Sequence, residues 1–389
     1  MRYRSYLNTA KKIIESYKGA TPLPVHLKNF FAADKKYGSK DRKQIAALCY
    51  NFYRLGKALK EMPIEERIII STFLCETKDN AFLKEIRPEL NENITSGVAD
   101  KLSIINYQLS IDTIFPWADE LSVGIDAEEY AASFLQQPDL FLRIRPGKEN
   151  IVQQKLTDAH ISFEIENECI TLANTTKLDS ILEINKEVII QDKNSQKVLD
   201  FFRSDIKDPR SEITLWDCCA ASGGKSLLLY DILQGKVALA VSDIRESILF
   251  NLKKRFQAAG IKHYRSFIAD LTNKCLTIPI EPPSIIICDA PCTGSGTWGR
   301  SPEQLFYFDK KQIDVYAKRQ QQIVSNVIPH LQKNGFFVYI TCSVFKKENE
   351  DIVKFIENNF EVRQLEMKVL KGCNEKADSM FVAIFEHKI

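Results

Sequence analysis

The 389-residue chain is long enough for two or three domains, and its 44% hydrophobic and 27% charged residues are ordinary for a globular protein. No apolar run is long enough to span a bilayer, and the N-terminus lacks the apolar core of a signal peptide. Ten scattered cysteines and five single histidines show no metal-ligand spacing. We therefore expect a cytoplasmic protein with no membrane segment and no bound metal.

The net charge of +2 is distributed unevenly along the chain. Residues 1–60 contain 14 Lys and Arg against 3 Asp and Glu, whereas residues 61–130 contain 5 against 15. A basic helical segment is typical of proteins that bind nucleic acid or another polyanion, although a solvated basic face explains it equally well. Amphipathic patterns separated by prolines predict an all-α domain over residues 1–128.

Residues 129–205 have the pattern of a small α+β subdomain. Short runs of β-branched and aromatic residues, such as LFLRIRP and ISFEIE, predict strands, and NIVQQKLTDAH between them predicts a helix. Arg143 and Arg145 lie two positions apart, so they project from one face of their strand. They are expected either to contact a phosphate backbone or to lie on a solvated sheet face.

Over residues 206–389, predicted strands and helices alternate. Strands that alternate with helices indicate a parallel, doubly wound sheet with a Rossmann-like arrangement. The fold class is therefore α/β, with a small α+β subdomain and an all-α N-terminal domain attached to the doubly wound domain.

Small residues follow the first strand of this domain, in the sequence DCCAASGGKS. They let a ligand approach the backbone and the helix N-terminus, but their spacing is neither GxGxxG nor that of a P-loop, which disfavours a nucleoside triphosphate. Asp243 ends the second strand, where a carboxylate accepts hydrogen bonds from a ribose diol, and Asp270 ends the third and could receive an adenine amine. An adenosine held without a pyrophosphate clamp indicates S-adenosylmethionine rather than NAD.

Two cysteines end apolar strand-like runs, Cys292 in IIICDAPCTGSGTWGR and Cys342 in FFVYITCS. Carbon 5 of a pyrimidine accepts a methyl group only after carbon 6 has been attacked, and a cysteine thiolate can make that attack. Asp289 supplies a carboxylate for the ring, and Lys225 supplies a cation that could lower the pKa of a thiol. These residue types do not distinguish which of the two cysteines attacks.

The segments DCCAASGGKS, SDIRES, IADL, CDAPCTGSGTWGRSPE and YITCSVFKKENED occur in this order and spacing. Together they resemble the motifs of the NOL1/NOP2/Sun family of RNA cytosine-5 methyltransferases over roughly residues 130–389. The segment HLKNFFAADKKYGSKDRKQIAALCYNFYRLG is similar to the NusB-like RNA-binding domain of bacterial RsmB-type ribosomal RNA methyltransferases. The resemblance implies an S-adenosylmethionine-dependent catalytic domain over residues 206–389 and a NusB-like domain over residues 1–128.

The implied reaction is methyl transfer to carbon 5 of a cytosine in RNA, with small-subunit (16S) ribosomal RNA as substrate, through a covalent cysteine–cytosine intermediate. By position, Cys342 would be the nucleophile and Cys292 would help to release the product, whereas the Pro-Cys pair that attacks in DNA cytosine methyltransferases favours Cys292. Asp289 would hold the cytosine edge, and Lys225 would position the base. The cofactor contacts implied are Cys219, Ala220, Ala221, Ser222, Gly223, Gly224, Lys225, Asp243, Asp270 and Asp289.

Two departures from the family pattern fall near the cofactor. Ser222 stands where the family has proline, and Ile248 stands where it has arginine. The alternatives to the implied function are a methyltransferase for transfer RNA or DNA, and a catalytically idle RNA-binding factor in ribosome assembly. For the implied function we expect a monomer whose partner is RNA.

Overall fold

The computed structural model describes residues 2–34, 36–105, 110–205, 213–273 and 278–388. The chain forms two compact units. None of the helices in the described ranges combines the length and apolarity needed to cross a bilayer. We call the two units the helical unit, formed by Met1–Asp119, Asp126–Gln137 and Thr297–Lys310, and the sheet unit, formed by Glu120–Ile125, Pro138–Gly296 and Lys311–Ile389.

The three domains predicted from the sequence, residues 1–128, 129–205 and 206–389, stay a proposal about which parts of the chain fold separately. The boundary proposed at 205/206 adjoins residues 206–212, which lie outside the described residues. The structure groups Pro138–Gly296 within one unit and assigns Thr297–Lys310 to the helical unit. The second assignment could not be read from the sequence, because this segment directly follows a predicted catalytic loop.

Amphipathic helices make up the helical unit. In the first helix, Tyr6, Ala10, Ile13 and Ile14 are buried at the three- and four-residue spacing of one helical face. Prolines precede or begin several of the others, because proline fits the first turn of a helix, where no amide donor is required. The helices are α1 (Arg2–Ser16), α2 (Leu23–Ala33), α3 (Ser39–Arg54), α4 (Ile64–Cys75), α5 (Ala81–Ile86), α6 (Pro88–Glu92), α7 (Val98–Ile104), α8 (Ala127–Ser133) and, from the last segment, α14 (Pro302–Tyr307).

Two of the basic residues near the N-terminus belong to the interior framework of the helical unit. Arg54 is 2% exposed and donates hydrogen bonds to the main-chain carbonyls of Phe134 at 3.0 Å and Gly299 at 3.1 Å. Lys57 donates to the carbonyl of Phe306 at 2.6 Å. The cations available to a polyanion on this unit are therefore fewer than the composition of residues 1–60 suggests.

The first part of the sheet unit is a four-stranded sheet with the order β2-β3-β1-β4, in which every pair is antiparallel. Leu142, Ile144 and Ile170 on its inner face pack with Val152 and Leu156 of a helix in one apolar cluster. The elements are β1 (Leu140–Ile144), α9 (Glu149–Asp158), β2 (Glu164–Glu166), β3 (Cys169–Leu172), β4 (Val188–Ile190), α10 (Lys193–Lys197) and α11 (Phe201–Asp205).

The larger sheet has the order β10-β11-β9-β8-β5-β6-β7. The neighbouring pairs β7–β6, β6–β5, β5–β8 and β8–β9 are parallel, as the alternating pattern predicted. The strand β11 runs antiparallel beside β9. Helices cover both faces, so central strands such as IIIC are apolar throughout. The elements are β5 (Ile213–Asp217), α12 (Gly224–Ile232), β6 (Val237–Asp243), α13 (Glu246–Ala259), β7 (Arg265–Ile268), β8 (Ile285–Asp289), α15 (Lys311–Val327), β9 (Phe336–Thr341), α16 (Glu350–Asn359), β10 (Val362–Leu370) and β11 (Met380–His387).

Both interpretations offered for Arg143 and Arg145 are wrong. Arg143 is 1% exposed, and its Nη1 lies 2.7 Å from Oδ2 of Asp231 on α12. The Nη2 atom of Arg145 lies 2.8 Å from the other oxygen of the same carboxylate. The strand β1 therefore uses its two arginines to bind α12 within the sheet unit, because a buried cation requires a partner of opposite charge.

Replacement of Asp231 by alanine is expected to destabilise the sheet unit by about 3–5 kcal/mol, because it leaves two buried or nearly buried guanidinium groups without compensation. Urea unfolding, followed by tryptophan fluorescence, measures this loss. Glu168→Ala is the matched control, since the pair of Glu168 with Arg203 is more than one third exposed on both sides and such pairs contribute about 0–1 kcal/mol. Equal losses in the two variants would show that the buried ion pair contributes no more to the free energy of unfolding than the exposed one.

Candidate active site

The candidate site lies at the carboxyl ends of the parallel strands, where the chain order of the sheet reverses. The strand β5 has β6 on one side and β8 on the other. Ligands bind at such a switch point in open α/β sheets, because the loops on the two sides diverge and leave a crevice. The loops that follow β5, β8 and β9 carry most of the residues predicted from the sequence.

The loop after β5 has a conformation that requires its glycine. Gly223 has φ of +81°, and a Cβ atom there would lie 2.6 Å from Cε1 of Phe256. Within the described residues, no side chain caps the N-terminus of α12, which begins at Gly224. The backbone is thus open to a ligand at the start of the helix. The Ser222 hydroxyl accepts a hydrogen bond from Nη1 of Arg255 at 3.1 Å, which ties the loop to α13 where the family has proline.

Asp243 is fixed at the end of β6 and shapes the same loop. Its Oδ2 accepts a hydrogen bond from the amide of Ala221 at 3.1 Å, and its Oδ1 accepts from the amide of Arg245 at 2.9 Å. Burial raises the pKa of Asp243, but hydrogen bonds from Arg245 more than offset this and hold the pKa below its ordinary value. Arg245, three positions before Ile248, is therefore the arginine that pairs with Asp243 in this chain.

Asp270 lies after β7, next to the strand that ends in Asp243. It is exposed, and its Oδ1 accepts hydrogen bonds from the amide and hydroxyl of Thr272 at 3.0 and 2.6 Å.

Two exposed isoleucines lie beside these carboxylates. Ile244 and Ile268 are 59% and 56% exposed, and Ile268 pairs with Asp243 in the β6–β7 register. Apolar side chains beside two carboxylates suit an adenosine, whose ring is flat and apolar on its faces. The isoleucines were missed because each also fits a strand pattern.

Asp217 is a further acidic strand end that the sequence interpretation passed over. It is fully buried at the end of β5, its Oδ2 accepts a hydrogen bond from the hydroxyl of Ser226 at 2.5 Å, and its Oδ1 has no partner among the described residues. Burial raises the pKa of Asp217 to about 7. Its position before the small-residue loop, matching Asp243 and Asp289 on other strands, was the signal available in the sequence. Together with the glycine-lined loop and Asp243, this unsatisfied acceptor fits a polar ligand at the switch point.

The two predicted reactive cysteines are in contact. Their Sγ atoms lie 3.4 Å apart, and both residues are partly buried free thiols. Beside them, Nζ of Lys225 lies 3.0 Å from Oδ2 of Asp289. The structure thus brings together four residues that are up to 117 positions apart in the sequence, although their roles remain predictions.

The charges around the two thiols differ. Burial lowers the pKa of Lys225, but Asp289 and, more weakly, Cys342 raise it above its ordinary value. The hydrogen bond with Cys342, burial and the negative charge of Glu348 raise the pKa of Cys292 well above the usual range of a thiol. Cys342 therefore interacts with a cation, whereas Cys292 retains its proton.

Cys219 belongs to a group of three thiols that was not foreseen. The Sγ atoms of Cys218, Cys219 and Cys288 all lie within 4.8 Å of one another, where β5 and β8 run side by side. Cys218 and Cys288 also belong to the apolar core on this face of the sheet, as expected for small buried side chains. The expectation of no bound metal and the cofactor role of Cys219 stay predictions.

A doubly wound sheet with a glycine-lined loop after its first strand, and with carboxylates at the following strand ends, is the arrangement expected of an S-adenosylmethionine-dependent methyltransferase domain. Residues 205–387, just under half of the chain, match the family model described as 16S rRNA methyltransferase RsmB/F. Over this region the match confirms the resemblance to the NOL1/NOP2/Sun family and, with it, S-adenosylmethionine as the cofactor.

Curated relatives with similar sequences are named as ribosomal RNA small subunit methyltransferases. The Probable ribosomal RNA small subunit methyltransferase B of Bacillus subtilis is 26% identical over 243 residues, which are 61% of this chain and 53% of the relative. The protein of the same description from Synechocystis sp. is 26% identical over 67% of this chain and 60% of the relative. The chain thus spans between half and two thirds of the length of these relatives.

Among solved structures, PH0851 has a TM-score of 0.70 with 17% identity and covers 99% of this chain and 98% of its own. NSun6 from Pyrococcus horikoshii with SFG has a TM-score of 0.56 with 14% identity and covers 67% of this chain and 94% of its own. At these identities the likeness shows the fold alone. It confirms the predicted Rossmann-like fold class, while the NusB-like character of the helical unit stays a proposal.

Proposed function

We propose that this protein transfers a methyl group from S-adenosylmethionine to carbon 5 of a cytosine in RNA, specifically in small-subunit (16S) ribosomal RNA, through a covalent cysteine–cytosine intermediate. The observation that carries the proposal is the 3.4 Å contact between the thiols of Cys292 and Cys342 beside the pair of Lys225 and Asp289. An RNA-binding protein without catalysis has no need of two thiols at this spacing. The names of the curated relatives support ribosomal RNA as the substrate, and such a substrate would place the protein in the cytoplasm.

When bound, S-adenosylmethionine supplies the electrophilic methyl group. The loop after β5 would hold its polar end, and Asp243 and Asp270 would bind the ribose and the adenine amine. The amides of Ala221 and Arg245 fix the carboxylate of Asp243. The exposed guanidinium group of Arg245, which donates to the same two oxygens, would have to turn away for both oxygens to receive a ribose diol. The proposed contacts are Cys219, Ala220, Ala221, Ser222, Gly223, Gly224, Lys225, Asp243, Asp270 and Asp289.

The different charges around the thiols support Cys342 as the nucleophile. A thiolate, not a thiol, attacks carbon 6 of the cytosine, and Cys342 is the one of the two thiols whose interaction contributes to the raised pKa of Lys225. The new bond joins Sγ of Cys342 to carbon 6, and the electron density passes to carbon 5, which takes the methyl group. Transfer of the proton from carbon 5 to a solvent water molecule then leaves its electron pair to re-form the ring double bond, which breaks the sulfur–carbon bond and returns the thiolate.

Cys292 has the properties of a group that assists this last step. It keeps its proton 3.4 Å from the sulfur of Cys342. A protonated thiol in that position can donate a hydrogen bond to the departing thiolate as the sulfur–carbon bond breaks. Asp289 lies on the adjacent strand end, where its carboxyl group could hold the polar edge of the cytosine. Lys225 fixes that carboxyl group through the 3.0 Å pair.

The helical unit is proposed to hold RNA next to the target base, as a NusB-like domain would, with the protein acting as a monomer. Lys40 and Lys43 are exposed on the first turns of α3, where they can contact phosphates. The target base must leave its stack or lie in a single-stranded loop, because the attacking sulfur approaches the face of the ring.

RNA affinity is expected to fall steeply with salt. Each neutralised phosphate contributes a slope of about −0.7 to −0.9 in a plot of log K against log salt, so Lys40→Glu with Lys43→Glu should reduce the slope by about 1 to 2. Fluorescence anisotropy with a labelled ribosomal RNA fragment measures this change. Lys354→Glu, an exposed substitution on α16, serves as the control. An affinity that does not depend on salt would refute this placement of the RNA.

Nucleoside analysis tests the proposed function directly. The protein is incubated with radiolabelled S-adenosylmethionine and, in separate reactions, 16S ribosomal RNA, isolated small subunits and transfer RNA. Label recovered as 5-methylcytidine from the ribosomal substrates supports the proposal. Label found only in transfer RNA would show that transfer RNA is the substrate. No label in any nucleoside would favour a catalytically idle assembly factor.

A further inference from the structure

Glu348 is a completely buried carboxylate between β9 and α16, with a hydrogen-bond donor at every side. Its Oε1 accepts from the amide of Thr293 at 2.9 Å and from Nε2 of Gln320 at 3.1 Å. Its Oε2 accepts from the hydroxyl of Thr293 at 2.6 Å and from the hydroxyl of Ser343. Each oxygen therefore has two donors, which is the complement that an ionised carboxylate requires in a buried position.

The partners of Glu348 lie directly beside the two reactive thiols in the sequence. Thr293 follows Cys292, and Ser343 follows Cys342. One carboxylate thus links the loop after β8 to the loop after β9, one residue beyond each sulfur. A second link joins the same loops where the amide of Gly296 donates to the carbonyl of Cys342 at 2.8 Å.

We propose that Glu348 is a positioning residue that holds the thiols of Cys292 and Cys342 in contact. Its carboxylate is the shared acceptor through which the two loops are fixed to each other, so the spacing of the sulfur atoms depends on it. The consequence for methyl transfer rests on the proposed function. The effect on thiol spacing does not, and it can be measured without RNA.

Glu348→Gln is the sharpest test, because it preserves the shape of the side chain. An amide has one oxygen in place of two charged ones. Either its NH₂ group faces the amide of Thr293 and Nε2 of Gln320, which can only donate, or the hydroxyls of Thr293 and Ser343 must turn to accept from it and lose their charged acceptor. Glu350→Gln is the matched control. Glu350 is also buried, and its two oxygens accept hydrogen bonds at 2.9 Å from the hydroxyl of Ser122 and the amide of Val123, which belong to neither thiol loop.

The first measurement is the rate at which Cys292 and Cys342 are cross-linked. Diamide removes two electrons and two protons from a pair of adjacent thiols, and peptide mass spectrometry identifies the disulfide. Glu348→Gln is expected to slow this reaction by at least about 10-fold, because a displacement on the order of 1 Å has large effects on proximity-dependent chemistry. Glu350→Gln should cross-link at the wild-type rate. An unchanged rate in folded Glu348→Gln would overturn the proposal.

The second measurement separates positioning from general destabilisation. For RNA methylation, Glu348→Gln should lower kcat by about 100-fold while KM for S-adenosylmethionine stays unchanged. If Glu348→Gln does not fold, Ser343→Ala removes one donor of the network and should slow cross-linking in the same direction, and a wild-type rate there would equally count against the proposal. Wild-type protein that cross-links as expected but forms no 5-methylcytidine would refute the proposed function and leave the role of Glu348 intact.

Discussion

Replacement of Cys342 by alanine is expected to abolish RNA methylation, with a loss of at least about 10⁴-fold in kcat and no covalent complex with RNA. Without this sulfur no bond to carbon 6 forms, so carbon 5 stays unreactive toward the methyl group. Radiolabel incorporation measures the first effect, and a denaturing gel of protein with labelled RNA measures the second.

Cys292→Ala is the companion variant, and it should give the opposite gel result. The attacking thiolate is still present, but the group that assists its departure is missing, so protein bound covalently to RNA should accumulate and resist denaturation. Cys373→Ala, at a buried cysteine after β10, controls for the loss of a thiol as such. If the two catalytic variants exchange their behaviour, Cys292 is the nucleophile and the interpretation based on Lys225 is wrong.

Gly296→Ala is the second substitution from which we expect a large loss of activity. A Cβ atom at this position would lie 2.1 Å from the carbonyl oxygen of Ser379 and 3.0 Å from that of Cys342. Because the first contact is with the backbone just before β11, relief requires a shift of that backbone or of the loop that carries Cys292, and the amide of Gly296 in this loop also donates to the carbonyl of Cys342. We expect methylation to fall by about 100-fold or more, with a melting temperature lowered by several degrees.

The control for Gly296→Ala is Gly97→Ala. A Cβ atom at Gly97 would meet only Oδ2 of Asp100, at 3.7 Å, which is an ordinary contact. Activity and melting temperature should stay near the wild-type values. Full activity in Gly296→Ala would mean that the two loops tolerate displacement, which would also weaken the inference drawn for Glu348.

The sequence allowed the fold and the contents of the site to be predicted where the signal is local. The alternation of strands and helices determined the parallel sheet, and strand ends in such a sheet meet at one edge, which is why Asp289, Cys292 and Cys342 could be placed near one another. Neither the contact between the two sulfur atoms nor their different charges could be predicted, because both depend on how the loops fold back. The choice between the cysteines rested on family resemblance, and it stays a prediction to which the interaction of Cys342 with Lys225 adds support.

Two charged residues, Arg143 and Glu348, were misjudged or missed because their partners are distant in the sequence. Arg143 was interpreted as exposed or as a phosphate contact because isolated arginines are seldom buried. Its partner Asp231 is 88 positions away. Glu348 lies in KKENED, a run that resembles a solvated helix start, and its role depends on Thr293, 55 positions earlier. Such pairings are determined by the tertiary fold and leave no periodic pattern.

The assignment of Thr297–Lys310 to the helical unit limits how this protein can be divided. Leu305 of α14 is completely buried, and Gly56 approaches it so closely that a Cβ atom there would lie 2.7 Å from its Cδ2. A truncation that removes residues 1–137 would leave this segment without the rest of its core, exposing apolar side chains directly after the proposed catalytic loop. The two units are therefore not interchangeable modules joined end to end, and exchange of the N-terminal region between relatives would have to include residues 297–310 to preserve both.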